Sequence, residues 1–208
     1  NPKWYTNHNY HLTDVKGLNI KYTLFTEVSN TIIGLEVKNE HIYSNVLGLA
    51  MEMKKNDPFD SNGFFTKEKG RTNASIYVNQ VLTLNRIDIS AGLNGNLNSD
   101  YGLYWHGGTD VTYHISKGFK TWISLNRSLR LPTFTDLYYT AATHKGNQNI
   151  HPETALNIEN GWSYKSDKLN LNATFWFRNG RNIIDWVKNP DSLKWESQNL
   201  TMVNATGI

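Results

Sequence analysis

The sequence contains no cysteine, which removes a disulfide scaffold, a zinc–thiolate site and a thiol nucleophile. Long apolar runs are missing too. No stretch approaches the roughly 18 residues that a membrane-crossing helix needs, and nothing at Asn1 reads as a signal peptide. Aliphatic material is scarce: 38% of the 208 residues are apolar and the mean hydropathy is −0.55, too little for a thick core buried on two sides. Neither sign of charge dominates. The net charge of +3 is spread singly among Asn, Ser and Thr, so there is no basic patch of the kind nucleic acid requires. Aromatic rings, by contrast, are plentiful, with seven Trp and eleven Tyr. Many rings with few aliphatics suit a thin sheet with amphipathic edges better than packed helices.

Period-two alternation recurs along the chain and predicts strands. Leu18, Ile20, Tyr22, Leu24 and Val28 share one face, opposed by Asn19, Lys21, Thr23 and Glu27. After a turn at Ser29-Asn30 the pattern returns through Ile33, Leu35 and Val37. Ala74, Ile76, Val78, Leu82 and Leu84 form the next such face. Across a turn at Asn85-Arg86 come Ile87, Ile89, Ala91, Leu93 and Leu97, against the small and polar Asp88, Ser90, Gly92, Asn94, Asn96 and Asn98. Further strands follow through Val111 and Tyr113, Phe119 to Leu129, Leu156 to Tyr164, and Leu169 to Phe177, with a weaker one ending at Ile208.

The connections alternate as well. They are short at Asn30, Asn85, Lys117 and Asp167, and long or irregular over 42–69, 99–107, 131–152 and 188–195. In an up-and-down meander this places every long loop at one end, as in outer-membrane barrels. Strands of about 10 to 13 residues exceed the ~5–6 usual in soluble sheets and match a tilted crossing of a bilayer. The expected fold is therefore all-β: about ten strands of an antiparallel up-and-down transmembrane β-barrel. A secreted β-sandwich that binds glycans through Trp and Tyr loops is the alternative from another class, and a passive porin a third.

One stretch, 128–153, interrupts the alternation. It holds Pro132 and Pro152, two of the five prolines, with a Gly146-Asn147 step and the rings of Phe134, Tyr138, Tyr139 and His144. Proline removes the donor that an inner strand needs, and loops of about 20 residues are usually functional. The run Arg130-Leu131-Pro132-Thr133-Phe134-Thr135-Asp136-Leu137-Tyr138-Tyr139, followed by Gly146-Asn147-Gln148-Asn149-Ile150-His151-Pro152-Glu153, resembles the R-x-P-[ST]-x-x-[ED]-L-Y … G-N-P-x-L-x-P-E signature of TonB-dependent outer-membrane receptors. The segment 178–186 looks like that family's strand leaving for an outer loop, and 203–208 is similar to its N-x-G-x-x-x-x-G-[VI]-E strand. Gln148 stands where the family has Pro. Within the family the cobalamin transporters look closest, through Gly34-Leu35-Glu36-Val37 and the run 42–48.

The resemblance implies that residues 1–208 are part of a single barrel domain of about 22 strands, with the plug domain and the remaining strands absent. It implies an outer-membrane location in a diderm bacterium, lipid around the barrel, and a large scarce nutrient (cobalamin first, an iron chelate second) bound at the outer loops. The energising partner would be an inner-membrane complex acting through the missing N-terminal region. No cofactor and no covalent chemistry are expected.

Candidate ligand contacts are the loop rings Tyr101, Tyr104, Trp105, Phe134, Tyr138 and Tyr139, because rigid amphipathic rings give area at little entropic cost. Arg130, Pro132, Gly146, Asn147, Pro152 and Glu153 carry the motif and are expected to shape the loop. No hydrolytic triad is recognisable. His8 and His11 point apart on an extended segment. Asp57, Asp60 and Asn62 offer oxygen ligands for calcium, but without the spacing and distal Glu of a helix–loop–helix site; no metal is expected there.

Overall fold

The computed structural model describes residues 9–208, which form eleven strands and one short helix. The strands are β1 (His11–Phe25), β2 (Ser29–Ser44), β3 (Leu49–Asn56), β4 (Phe64–Leu84), β5 (Ile87–Asn98), β6 (Gly102–Ser116) and β7 (Phe119–Arg130), then β8 (His144–Lys145), β9 (Glu153–Lys165), β10 (Asn170–Val187) and β11 (Trp195–Gly207). Helix α1 (Phe134–Tyr138) lies between β7 and β8. All strands belong to one sheet, in which β1, β2, β4, β5, β6, β7, β9, β10 and β11 follow one another as an antiparallel meander. Strand β3 pairs only with the first part of β4, and the two-residue β8 runs parallel to the start of β11. Among the described residues no second sheet packs on this one, which removes the β-sandwich reading. The sheet is not closed: β1 pairs only with β2, and β11 with β10 and β8.

The registers show why the apolar residues alternate as they do. Leu82, Ile89, Val111 and Ile123 form one row across four strands, and Tyr22, Ile33, Val78 and Leu93 form another. These rows lie on a single face that nothing covers; Leu18 is 65% and Ile20 59% exposed. The opposite face carries Asn94, Asn96, Asn98, Ser124 and Asn126, and there Asn98 is 1% and Ser124 7% exposed. Among the described residues no second sheet covers them; neighbouring side chains on the same face shield one another, as where Asn98 donates to Asn73 at 2.8 Å, and this polar side is the inner, concave one of a barrel wall. Apolar residues outward and polar ones inward invert the order of a soluble domain and match a barrel wall that borders hydrocarbon.

Four rings fit this wall by lying over glycines directly across the ladder. Tyr77 covers Gly34, Trp105 covers Gly95, Trp122 covers Gly161 and Trp176 covers Gly207; a Cβ at any of these glycines would overlap the ring. Such pairing fills the gap that a strand glycine leaves.

The two rims differ. At one, turns join β1 to β2, β4 to β5, β6 to β7 and β9 to β10, each within four residues or fewer. Rings collect beside it on the apolar face, with Phe119 against Tyr164 at 6.5 Å and Trp162 against Phe175 at 5.7 Å. Residues 45–63, 131–152 and 188–194 all emerge at the other rim. Two expected loops prove to be largely strand. Most of 42–69 is the hairpin of β3 and β4, and 99–107 shrinks to a three-residue turn at 99–101, because β6 already begins at Gly102.

Candidate functional site

The segment 131–152 folds over the polar, concave side of the long-loop rim, and the side chains at its two ends hold it there. Arg130 closes β7 and Glu153 opens β9. Thr133 caps α1: its hydroxyl accepts from the Asp136 amide at 3.1 Å, while the Asp136 carboxylate accepts from the Thr133 amide at 2.9 Å, a reciprocal capping box. Arg130 Nη2 donates to the same Asp136 oxygen at 3.2 Å, and Arg130 Nη1 to Glu153 at 3.3 Å. The other oxygen of Glu153 accepts from Arg178 at 3.1 Å, while the Ile184 amide donates at 3.3 Å to the oxygen that Arg130 holds. Both carboxylates are buried, so these donors offset a desolvation that would otherwise disfavour the charged form.

Beneath this network Leu137, Ile150 and Ile184 form a small buried cluster with Tyr138 against it. Gly146 lies on the helix: a Cβ there would come within 2.8 Å of the Leu137 carbonyl carbon and the Tyr138 nitrogen. The Asn147 amide donates to the Asp136 carbonyl at 2.9 Å, and its side-chain oxygen accepts from the Asn149 amide at 2.9 Å, an Asx turn. Pro132 and Pro152 are buried. Asn199 of β11 fastens the far end, accepting from the His151 amide at 2.7 Å and donating to its carbonyl at 3.0 Å.

The rings nominated as ligand contacts separate into three places. Tyr101, in the 99–101 turn, is half-buried; burial, with the Asp100 carboxylate adding to it, pushes its phenol up to about 12. The Tyr138 phenol is raised too, by burial first; Lys69 opposes this and Asp100 adds to it. Tyr138 and Tyr104, the latter on the polar face of β6, both lie near enough to Tyr101 to help raise its phenol. Phe134 joins this side through Arg71. Trp105 does not: it is on strand β6, faces outward over Gly95, and is not a loop residue. Tyr139 turns the other way, into a chain of rings with His144 at 6.2 Å, which meets Trp186 at 5.3 Å.

Sequence reasoning missed the cations among these rings. Arg71 Nε donates to Glu40 at 2.8 Å and Nη1 to the Pro132 carbonyl at 2.7 Å, while its guanidinium stacks 4.8 Å from the centre of the Phe134 ring. Lys69 pairs with Asp100 at 3.0 Å. Both stand on the polar face of β4, where a lysine or arginine reads as one more lumen residue; no local signal distinguishes them.

The oxygen-rich turn between β3 and β4 is occupied with its own backbone. Asp57 accepts from the Phe59 amide and Asp60 from the Asn62 amide, each at 2.9 Å, and no metal-binding cluster of three or more His, Asp or Glu exists among the described residues. His11 shares a 2.9 Å hydrogen bond with Ser44; His8 lies outside the described residues.

Several solved structures share this architecture. The siderophore receptor PirA from Pseudomonas aeruginosa superposes with a TM-score of 0.69 at 19% identity, over 96% of this chain and 35% of that one. The siderophore receptor PirA from Acinetobacter baumannii gives 0.68 at 15%, over 96% and 34%, and the FrpB iron transporter from Neisseria meningitidis gives 0.65 at 13%, over 96% and 33%. The chain thus spans about a third of the length of these structures. No curated protein matches it. The family described as TonB dependent receptor-like, beta-barrel matches residues 2–208, and at these identities the structural likeness speaks for the fold alone. With the family match covering nearly the whole chain and the wall built as a barrel wall, this chain belongs to the TonB-dependent receptor β-barrel family.

Proposed function

We propose that the protein of which these residues form a part is an outer-membrane receptor that captures an anionic iron chelate at the long-loop rim and imports it. The carrying observation is the convergence on the concave side of Tyr101, Tyr104, Phe134 and Tyr138 with Arg71 and Lys69. Rings supply contact area, and Lys69 and Arg71, each already paired with a carboxylate, supply N–H donors for ligand oxygens, a combination suited to a planar, oxygen-rich chelate. The names of similar solved structures, siderophore receptors and an iron transporter, support an iron chelate ahead of cobalamin. Release inward would be driven by an inner-membrane energising complex acting through a plug domain that these residues do not include. The barrel's part in this is binding and release, with no bond made or broken.

The test is equilibrium binding to the full-length receptor in detergent, with a ferric catecholate, a ferric hydroxamate and cobalamin as probes. An anionic ferric chelate is expected to bind, with Tyr138→Ala and Lys69→Ala each weakening it about tenfold, the effect of roughly 1.4 kcal/mol. Binding of cobalamin alone, or of a ferric chelate with full strength in both variants, would refute the reading.

A further inference from the structure

A groove in the wall lies on the apolar face, away from the rim site. It has a volume of about 560 Å³, within the roughly 300–1,000 Å³ of ligand-sized clefts. Its origin is a missing side chain. Gly107 pairs with Leu93 on one side and Arg127 on the other, and Ala91 and Thr109 beside it are short, so a trough runs along β6. Val78 and Leu93 form one bank, Leu125 and Leu156 the other, and Trp105 stands at the end nearer the long loops.

Arg127 is the anomaly. It shares the face of Leu125 and Leu156, is exposed, and among the described residues has neither a hydrogen bond nor an ion pair. On the lipid side of a barrel an arginine is costly at the midplane and tolerated near the interface. Arg127 is three residues from the long-loop end of β7, at the level where Trp105 marks the boundary on β6. An unpaired guanidinium at the mouth of an apolar trough fits a ligand with one phosphate and a hydrocarbon chain.

We infer that this groove holds an acyl chain of the phosphorylated glycolipid of the outer leaflet, with its phosphate on Arg127. The inference rests on the outer-membrane reading above. The trough's small residues admit the chain, the flanking leucines and Trp105 contact it, and Arg127, at the interface, makes a charge-assisted hydrogen bond to the phosphate.

Native mass spectrometry of the full-length receptor, taken from outer membranes in mild detergent, tests this. The wild type is expected to retain one glycolipid adduct. Arg127→Ala should reduce its occupancy about tenfold, the loss of one charge-assisted contact, and Ala91→Phe, which fills the trough from the lipid side, should do the same. Arg127→Lys should keep most of it, and Lys16→Ala, at a cation already paired with Asp14, should leave it unchanged. Since Arg127→Ala removes no packed side chain, it decides the matter even if Ala91→Phe folds poorly. An adduct that survives Arg127→Ala, an adduct that is ordinary phospholipid, or a wild-type receptor carrying none would each overturn the assignment while leaving the outer-membrane reading intact. A protein that does not fractionate with the outer membrane would overturn both.

Discussion

Arg130 and Glu153 are partners twice over: they are opposite residues in the β7–β9 ladder, and their side chains meet at 3.3 Å. The last rung of the wall before the long loop is therefore also its electrostatic clasp. Because Arg130 reaches on to Asp136 and Glu153 on to Arg178, one network joins the wall, helix α1 and the next strand. A loop of this length would otherwise cost considerable entropy to hold in one place.

Glu153 is the node whose loss should show most. It accepts from two guanidinia and a backbone amide while buried, so Glu153→Gln removes the negative charge and turns one of its two acceptor oxygens into an NH2 that faces a guanidinium, and is expected to cost about 2–4 kcal/mol. Limited proteolysis of the full-length receptor should then cut within 131–152 at protease levels that leave the wild type whole. An unchanged cleavage pattern would show that Glu153 is not what holds the loop.

The glycines under rings should respond differently from Gly102, the first residue of β6. Gly161→Val displaces Trp122 and should cost about 1–3 kcal/mol by overpacking. Gly102 has open space around it but a φ of +76°, so Gly102→Ala should cost only about 1 kcal/mol, from backbone strain. Only the Gly161 variant should shift tryptophan emission. The comparison is read from thermal melts and emission spectra of both variants.

The wall was legible in the sequence and the rim was not, for a physical reason. Where one side of a strand meets hydrocarbon, as for Leu18, Ile20 and Tyr22, alternation is forced and survives composition. Beyond the bilayer both faces are wet, so β3, with Glu52, Lys54 and Lys55, loses the period and reads as loop. The run from Tyr101 to Gly108 misled in another way: rings and glycines together suggest a turn, yet Trp105 is in a strand covering a glycine on its neighbour. Residues 128–153 stood out because proline and glycine fix backbone locally. Arg71 did not, since what singles it out is a carbonyl 61 positions away.

Tyr101 gives the rim a pH signature. Its phenol is held neutral up to about 12 in the fold, against about 10 in an unfolded chain. The unfolded state therefore ionises first. Stability is unaffected below pH 10 and falls as pH rises from about 10 toward about 12. In a near-ultraviolet titration of the full-length receptor, Tyr101 and Tyr138 should titrate later than an exposed tyrosine, and Tyr101→Phe should remove part of that late titration and part of the alkaline destabilisation. Loss of an ordinary step near pH 10 in the variant, with the late titration intact, would place the Tyr101 phenol in open solvent.

Arg71 tests whether geometry or charge ties the loop to the wall. Its three contacts, to Glu40, to the Pro132 carbonyl and to the Phe134 ring, use the flat fork of a guanidinium. Lysine keeps the charge but offers a compact ammonium that cannot stack on Phe134 and reach two acceptors in diverging directions. Arg71→Lys should therefore behave nearly as badly as Arg71→Ala, each loosening 131–152 by about 1–3 kcal/mol, the cost of stranding a buried acceptor. Glu40 keeps Lys38 at 2.6 Å in both variants, so the strand pairing of β2 with β4 should hold and the damage stay in the loop. Hydrogen exchange separates the outcomes: faster exchange at 133–139 in both variants, with β2 and β4 unchanged, fits the geometric role, whereas full protection in Arg71→Lys would assign the tie to charge alone.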